Sequence, residues 1–231
     1  MTAPAPGAGP RLAVRGLHAG WGASNVVQGV DLEVAAGEVV AVLGGNGSGK
    51  SSLLLAVAGL LRARAGEVDL DGRPVGRLPA ERRARLGLRL LPQTRRVFPS
   101  LTVRENLEAV ELGLPAGEVD GARARRAAWL ARFPELAERL DEPAAGLSGG
   151  LQQLLAIGRV LSTSPRVLLA DEPSAGLSPG LAMACGDALV ELAAAGAAVV
   201  LVEQNVALAR RLSTRVLHLH DGRLVPDPTP V

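Results

Sequence analysis

The stretch Gly44-Gly45-Asn46-Gly47-Ser48-Gly49-Lys50-Ser51 lies between the apolar run Val39-Val40-Ala41-Val42-Leu43 and the run Leu53-Leu54-Leu55-Ala56-Val57. A buried strand that turns through glycines straight into a helix fixes the order strand, loop, helix, and the glycines let consecutive backbone N–H groups face inward. The positive end of a helix starting near Gly49 adds to those donors, so the loop is built to receive an anion. The spacing is that of a phosphate-binding loop, with Lys50 reaching the β- and γ-phosphates of a nucleotide and Ser51 left for Mg²⁺. Ser52 follows it in the first helical turn. A merely structural turn would need neither the lysine nor the hydroxyl. Lys50 is also the only lysine among 25 lysine and arginine residues, a compact charge where a planar guanidinium would not fit the loop.

The 231 residues, 48% of them apolar, are enough for one large globular domain or a domain with a subdomain. The 25 bases stand against 23 acids for a net charge of +2, so no dominating basic surface calls for nucleic acid. The aromatics are Trp21, Phe98, Trp129 and Phe133 alone, too few for a base-stacking platform. A single cysteine, Cys185, excludes disulfides within the chain and zinc knuckles and fits a reducing cytoplasm, where it reads as a small core residue. Residues 1–10 lack the charged and apolar regions of a signal peptide and read as a Pro/Gly/Ala tail. The longest apolar stretch, Leu192 to Val202, is broken by Gly196 and too short to cross a bilayer.

Strands are expected at Leu12–Leu17 and Val30–Val34, with a loop around Gly20-Trp21-Gly22 between them. Trp21 is either a filler or, so close to a nucleotide site, a ring for adenine to stack on; the second reading is preferred. Gly66–Gly72 reads as a strand and turn, Pro79–Leu86 as a short basic helix whose Arg82, Arg83 and Arg85 form a solvated face, and Leu88–Leu91 as a strand ending at Pro92-Gln93. Helical periodicity then takes over at Glu105–Leu112, Ala122–Arg132 and Ser148–Leu161, a helical insertion. Strand signals resume at Val167–Ala170, with a helix at Leu181–Ala194, a strand at Ala198–Val202 and a helix at Val206–Leu212. A final strand pair, Val216–Leu219 and Arg223–Val225, turns at Asp221-Gly222, and the proline-rich tail after Val225 is expected to fray. Strands alternating with helices around a phosphate loop indicate an α/β sheet with helices on its faces.

Downstream, Val167-Leu168-Leu169-Ala170-Asp171-Glu172 is a buried strand ending in two carboxylates. Asp171 is placed to hold Mg²⁺ through water and Glu172 to orient or deprotonate the water that attacks a γ-phosphate. An acidic pair is also a common strand terminus, and it is the phosphate loop that tips the reading toward chemistry. Between them, Leu147-Ser148-Gly149-Gly150-Leu151-Gln152-Gln153 opens a helix with a capping serine and glycines, a second anion site made of backbone donors. One chain with one complete phosphate loop has no use for a second, unless two copies sandwich ATP between them.

In this order, the phosphate loop, Gln93, the stretch Leu147–Gln153, Val167–Glu172 and the loop Ser174–Ser178 resemble the ATP-binding-cassette (ABC) ATPases, and the match spans nearly the whole chain. The stretches Arg95–Leu107 and Leu201-Val202-Glu203-Gln204-Asn205 are similar to the ATPase subunits of branched-chain amino-acid importers; urea and amide importers share much of the pattern. The resemblance implies a P-loop NTPase fold: a RecA-like parallel sheet flanked by helices, N-terminal antiparallel strands and an inserted α-helical subdomain. Residues 1–231 would be one ATPase domain, with 1–10 a disordered tail, 11–99 and 160–225 the α/β core and 100–159 the helical subdomain. It further implies a head-to-tail dimer in which Gly44 to Ser51 of one copy and Ser148, Gly149 and Gly150 of the other enclose each ATP. Gln93 would ligate Mg²⁺ and sense the membrane partner, Glu172 would be the catalytic base, and Trp21 falls at the adenine-stacking position. Implied partners are transmembrane permease subunits, a second cassette, usually a paralogue in such importers, and indirectly a substrate-binding protein. The chain would sit on the cytoplasmic face of the cell membrane.

Three departures stand out: Leu151 at a position usually polar, Ala170 where a larger apolar residue is usual, and Gln204 where most of the superfamily has a histidine contacting the γ-phosphate. Glutamine can hydrogen-bond phosphate but cannot carry a proton, and the branched-chain importer subunits are similar in having it. The competing expectation is a cassette ATPase without membrane partners, acting on DNA or the ribosome. Such proteins carry inserted coiled coils, zinc modules or two cassettes, and the short Gln93–Ser148 segment with one cysteine argues against them. A weak regulatory cassette is the third reading and rests on Leu151 and Ala170.

Overall fold

Residues 9–94 and 97–227 are described by the computed structural model. Strands β1 (Leu12–Ala19) and β2 (Val27–Val34) precede β3 (Val39–Leu43), and the phosphate loop delivers the chain into α1 (Lys50–Ala58). Then come β4 (Ala63–Leu70), β5 (Arg73–Pro74), α2 (Ala80–Arg85) and β6 (Leu88–Leu91). Helices α3 (Val103–Glu108), α4 (Val119–Arg132), α5 (Pro134–Ala137) and α6 (Gly149–Ser162) follow, and the chain returns through β7 (Val167–Asp171), α7 (Pro179–Ala194), β8 (Ala198–Val202), α8 (Val206–Leu212), β9 (Arg215–His220) and β10 (Arg223–Pro226).

These strands make two sheets. One is antiparallel in the order β2-β1-β4-β5; the other runs β10-β9-β3-β8-β7-β6, parallel from β9 to β6 with β10 antiparallel at its edge. The antiparallel sheet and α1 cover one face of the parallel sheet, burying Val40, Val42, Leu169, Val200 and Val202 with Leu12, Val30, Leu53 and Val57. The opposite face carries Val39, Leu168, Ala170, Val199 and Leu201 and packs on α6 and α7. Burial on both faces is why β3 and β8 are unbroken apolar runs in the sequence and β7 is apolar up to its last residue, Asp171. Ala170 is fully buried between its neighbours Leu91 and Leu201, and Leu151 is half-buried against the same core, so neither departure opens the packing.

Helix α6 has a close neighbour. Trp129 of α4 lies so near Gly158 that a Cβ there would sit 2.4 Å from the indole nitrogen, and that nitrogen donates to the Leu154 carbonyl at 3.2 Å. Cys185 is buried in α7, and desolvation pushes its thiol up to about 12; it is a core residue.

Several expectations need correction. Arg82 and Arg85 are exposed, but Arg83 is 3% exposed and does not join a solvated face. Its guanidinium donates to Ala56 O at 3.1 Å and Val57 O at 2.7 Å in the last turn of α1, and to Gly76 O and Leu78 O at 2.9 and 3.0 Å. The open carbonyls and negative dipole end of α1 are thus met by a buried cation, with burial lowering its pKa. The helix expected at Glu105–Leu112 begins at Val103 and tightens into a 3₁₀ turn, Ala109–Gly113. Its start is fixed by a capping box, Thr102 Oγ1 accepting from Glu105 N–H while the Glu105 carboxylate accepts from Thr102 N–H. After Val225 the chain does not fray at once: β10 includes Pro226, and Asp227 pairs with Arg210 at 2.7 Å and lies 3.2 Å from His218. Residues 1–8 of the expected tail 1–10, the pair Arg95 and Arg96, and residues 228–231 lie outside the described residues.

Replacing Arg83 by alanine takes the guanidinium from four main-chain carbonyls, of which Ala56 O keeps the Gly59 N–H at 3.1 Å, so the unfolding free energy should fall by about 3 kcal/mol in a denaturant titration. A loss under about 1 kcal/mol would mean that water takes over those carbonyls at little cost.

Candidate functional site

Every loop of interest leaves the parallel sheet at the C-terminal ends of its strands, where α/β sheets bind ligands. Register puts them level: Val42 and Asp171 both pair with Val202, and Leu91 pairs with Ala170. Gly44, Asp171–Glu172, Gln93 and Gln204 therefore emerge side by side from four neighbouring strands.

The phosphate loop follows from its glycines. A Cβ at Gly44 would sit 2.6 Å from Leu219 O and 2.7 Å from Ser48 Oγ. Gly49, at φ 103°, caps α1 in a left-handed conformation. No carboxylate lies in the first turn of α1, so its positive end is open to an anion. The Lys50 ammonium, 5% exposed, donates to Gly44 O at 2.8 Å and Gly45 O at 3.0 Å, folding the loop around itself. Asn46, Gly47, Gly49, Lys50, Ser51 and Ser52 line a cavity of about 310 Å³ together with Val26, Gln93, Glu172 and Gln204.

At the cavity's far wall, Glu172 is held by two amides. Gln93 Nε2 donates to Oε2 at 2.8 Å and Gln204 Nε2 donates to Oε1 at 2.7 Å, so both carboxylate oxygens are oriented from opposite sides. The residue sits at φ 49°, a left-handed backbone that a non-glycine residue enters at some cost, with its N–H tied to Val202 O at 2.9 Å. Beside it, burial pushes the Asp171 carboxyl above its usual range, the Ser51 hydroxyl hydrogen bond pulls it back, and Glu172 and Lys50 add opposing charge effects. Asp171 Oδ1 and Ser48 Oγ are buried without a hydrogen-bond partner. Unpartnered polar atoms around an ammonium that meets only carbonyls are what a site for a phosphate and a hard cation should contain.

Trp21 lies on the loop between β1 and β2, 57% exposed, its indole Nε1 donating to Ser52 Oγ at 3.2 Å. That bond places the edge of the ring against the first turn of α1. Ser148, Gly149 and Gly150 are not brought there. Ser148 caps α6, its Oγ accepting from Leu151 N–H at 3.3 Å, and Gly150 faces Gly176 and Leu177.

Two contributors escaped the sequence reading. Val26 packs against Gly49, 2.8 Å from where a Cβ would be. Glu203 is 2% exposed and accepts from Ser174 N–H at 3.0 Å; burial raises its pKa, countered by Ser174 and the backbone N–H groups of Gln204 and Asn205. It ties the turn after β7 to the turn after β8. A charge directly following a buried strand was the available signal.

Residues 27–175 match the family model described as ABC transporter. The chain belongs to that family. As an ABC transporter ATPase, it is 38% identical to the high-affinity branched-chain amino acid transport ATP-binding protein BraG of Pseudomonas aeruginosa, over 90% of this chain and 88% of the relative. It is also 38% identical to the probable branched-chain amino acid transport ATP-binding protein LivF of Archaeoglobus fulgidus, over 92% and 89%. At a similar level, 39% over 87% and 89%, stands the lipoprotein-releasing system ATP-binding protein LolD of Paramagnetospirillum magneticum, so identity alone does not rank the cargo. A solved ATP-binding subunit of an ABC transporter superposes with a TM-score of 0.83 at 31% identity, covering 92% of this chain and 87% of that one.

Introducing an ionisable ring at the amide that faces Glu172 should make hydrolysis sensitive to imidazole titration. The Gln204→His variant should therefore differ from the parent in its pH–rate profile between about pH 5.5 and 8; identical profiles would show that the position does not reach the reacting phosphate.

Proposed function

We propose that this ABC transporter ATPase powers import of branched-chain amino acids or similar small polar substrates. It would work as one ATPase domain on the cytoplasmic face of the membrane, paired with a second cassette. The observation that carries the reading is Gln204: the amide that replaces the usual histidine engages Glu172 directly, in a run similar to branched-chain importer subunits. The likeness to BraG and LivF supports it.

In this reading the Gly44–Ser52 backbone and Lys50 bind the phosphates, Trp21 stacks on the base, and Ser51, Asp171 and Gln93 hold Mg²⁺. When bound, Mg²⁺ neutralises charge on the phosphates. Glu172 orients the attacking water and receives its proton, and Gln204 holds the carboxylate in line. Gln93, donating to Glu172 in this structure, is the group that exchanges partners when nucleotide arrives. Ser148, Gly149 and Gly150, far from this chain's own cavity, serve the ATP of the partner cassette. No described helix is long and apolar enough to cross a membrane; in this reading the pore is supplied by permease subunits. A groove of about 270 Å³ beside the Gln93 loop, lined by Leu55, Leu60, Leu90, Val110 and Val160 with Arg89 and Arg159, suits an apolar segment of such a subunit. The substrate-binding protein acts through the permease and does not touch this chain.

A tagged Glu172→Gln variant should keep ATP binding while hydrolysis falls by about 10²- to 10⁴-fold. Extracted from membranes in mild detergent with Mg-ATP, it should bring multi-span membrane proteins and a second cassette, identified by mass spectrometry. Leucine with its binding protein should stimulate the purified wild-type complex. Copurification of ribosomes or DNA-bound proteins overturns the transport role, and stimulation by urea in place of leucine overturns the cargo.

A further inference from the structure

Arg64, exposed near the start of β4, has a fork of donors aimed at another element. Its Nη2 donates to Gly22 O at 2.6 Å and its Nη1 approaches Ala23 O at 3.4 Å. Both carbonyls belong to the loop that presents Trp21. That loop is closed on itself by Ser24 N–H to Trp21 O at 2.9 Å and Val26 N–H to Ala19 O at 3.0 Å. It folds back so tightly that a Cβ at Gly20 would lie 1.9 Å from Ser24 O. Beyond its own turn, side-chain tethers hold it: the indole of Trp21 on Ser52, the guanidinium of Arg64 on Gly22 and Ala23, and, further along, Gln28 Nε2 donating to Asn25 O at 3.4 Å.

The tethers differ in kind. The indole–Ser52 bond is made by the very ring that must meet a base, and it fixes only that ring's edge. Arg64 fixes the backbone immediately after Trp21 by charge-assisted bonds from a planar, permanently charged group, which sets where the ring's face points. With 57% of its surface exposed, Trp21 needs such support, because an exposed ring on an untethered loop loses affinity to the entropy of ordering it at each binding event.

We propose that Arg64 is a positioning residue for base recognition: by holding Gly22 and Ala23 it pre-orders Trp21 and so sets the base-dependent part of nucleotide affinity. This rests on the reading that the base stacks on Trp21. The phosphate-dependent part, made by the Gly44–Ser52 loop, is independent of it.

The test measures binding by calorimetry in the full chain carrying Glu172→Gln, with Mg-ATP and Mg-tripolyphosphate as probes, the second lacking base and sugar. Arg64→Met, which keeps the apolar stem, should weaken ATP about fivefold and leave tripolyphosphate unchanged. Trp21→Ala should weaken ATP at least as much, and the double variant should bind ATP no worse than Trp21→Ala alone. Because Trp129 is buried, acrylamide quenching reads Trp21, and it should rise in Arg64→Met. Unchanged ATP affinity in Arg64→Met beside a weakened Trp21→Ala overturns the positioning role. So does equal weakening of ATP and tripolyphosphate, or additivity in the double variant. Unchanged ATP affinity in Trp21→Ala overturns both the role and the stacking reading beneath it.

Discussion

The pairing of β8 with β3 on one side and β7 on the other determines everything that happens at the upper edge of the parallel sheet. Val42, Asp171 and Val202 lie at one level across three strands, and each strand hands over its chain at the same height. Since side chains alternate faces with a period of two, a slip of one residue in either pairing would exchange the side chains packed on one face for those packed on the other and lose the fit of both. Burial on both faces makes that slip expensive, so hydrophobic packing deep in the sheet is what sets the distances between Lys50, Glu172, Gln93 and Gln204.

Above that level, polar groups finish what the register begins. Glu172 occupies a left-handed backbone held by Val202 O and accepts an amide on each oxygen. Glu203, one position beyond β8, gathers N–H groups from the two turns that flank it. Arg83 satisfies the far end of the helix whose near end is the phosphate loop. Each is a buried or half-buried charge satisfied by main-chain or amide groups, an arrangement that is stable only when every partner stays in place.

Local pattern made much of this readable. The strand-loop-helix around Lys50, the apolar runs of β3, β7 and β8, and the Asp221-Gly222 turn announce themselves in adjacent residues, because burial and turn geometry act over a few positions. What was not readable depends on contacts between distant positions. Arg83 looks like its neighbours Arg82 and Arg85 until Ala56, Val57 and Gly76 converge on it. Gln93 and Gln204 were singled out in the sequence one by one, but their joint grip on Glu172 spans 79 and 32 positions in the chain. Arg64 carries no local mark at all, since its acceptors lie 41 and 42 residues earlier.

Lys50 has a consequence outside its own chemistry. Twenty-four of the 25 basic side chains are guanidinium groups, which do not acylate under conditions where amines do. To any reagent or enzyme that modifies lysine side chains, the molecule offers a single handle. That handle is 5% exposed and wrapped by the carbonyls of Gly44 and Gly45. Amine chemistry on this chain's side chains is therefore a direct reporter of how tightly the phosphate loop is closed.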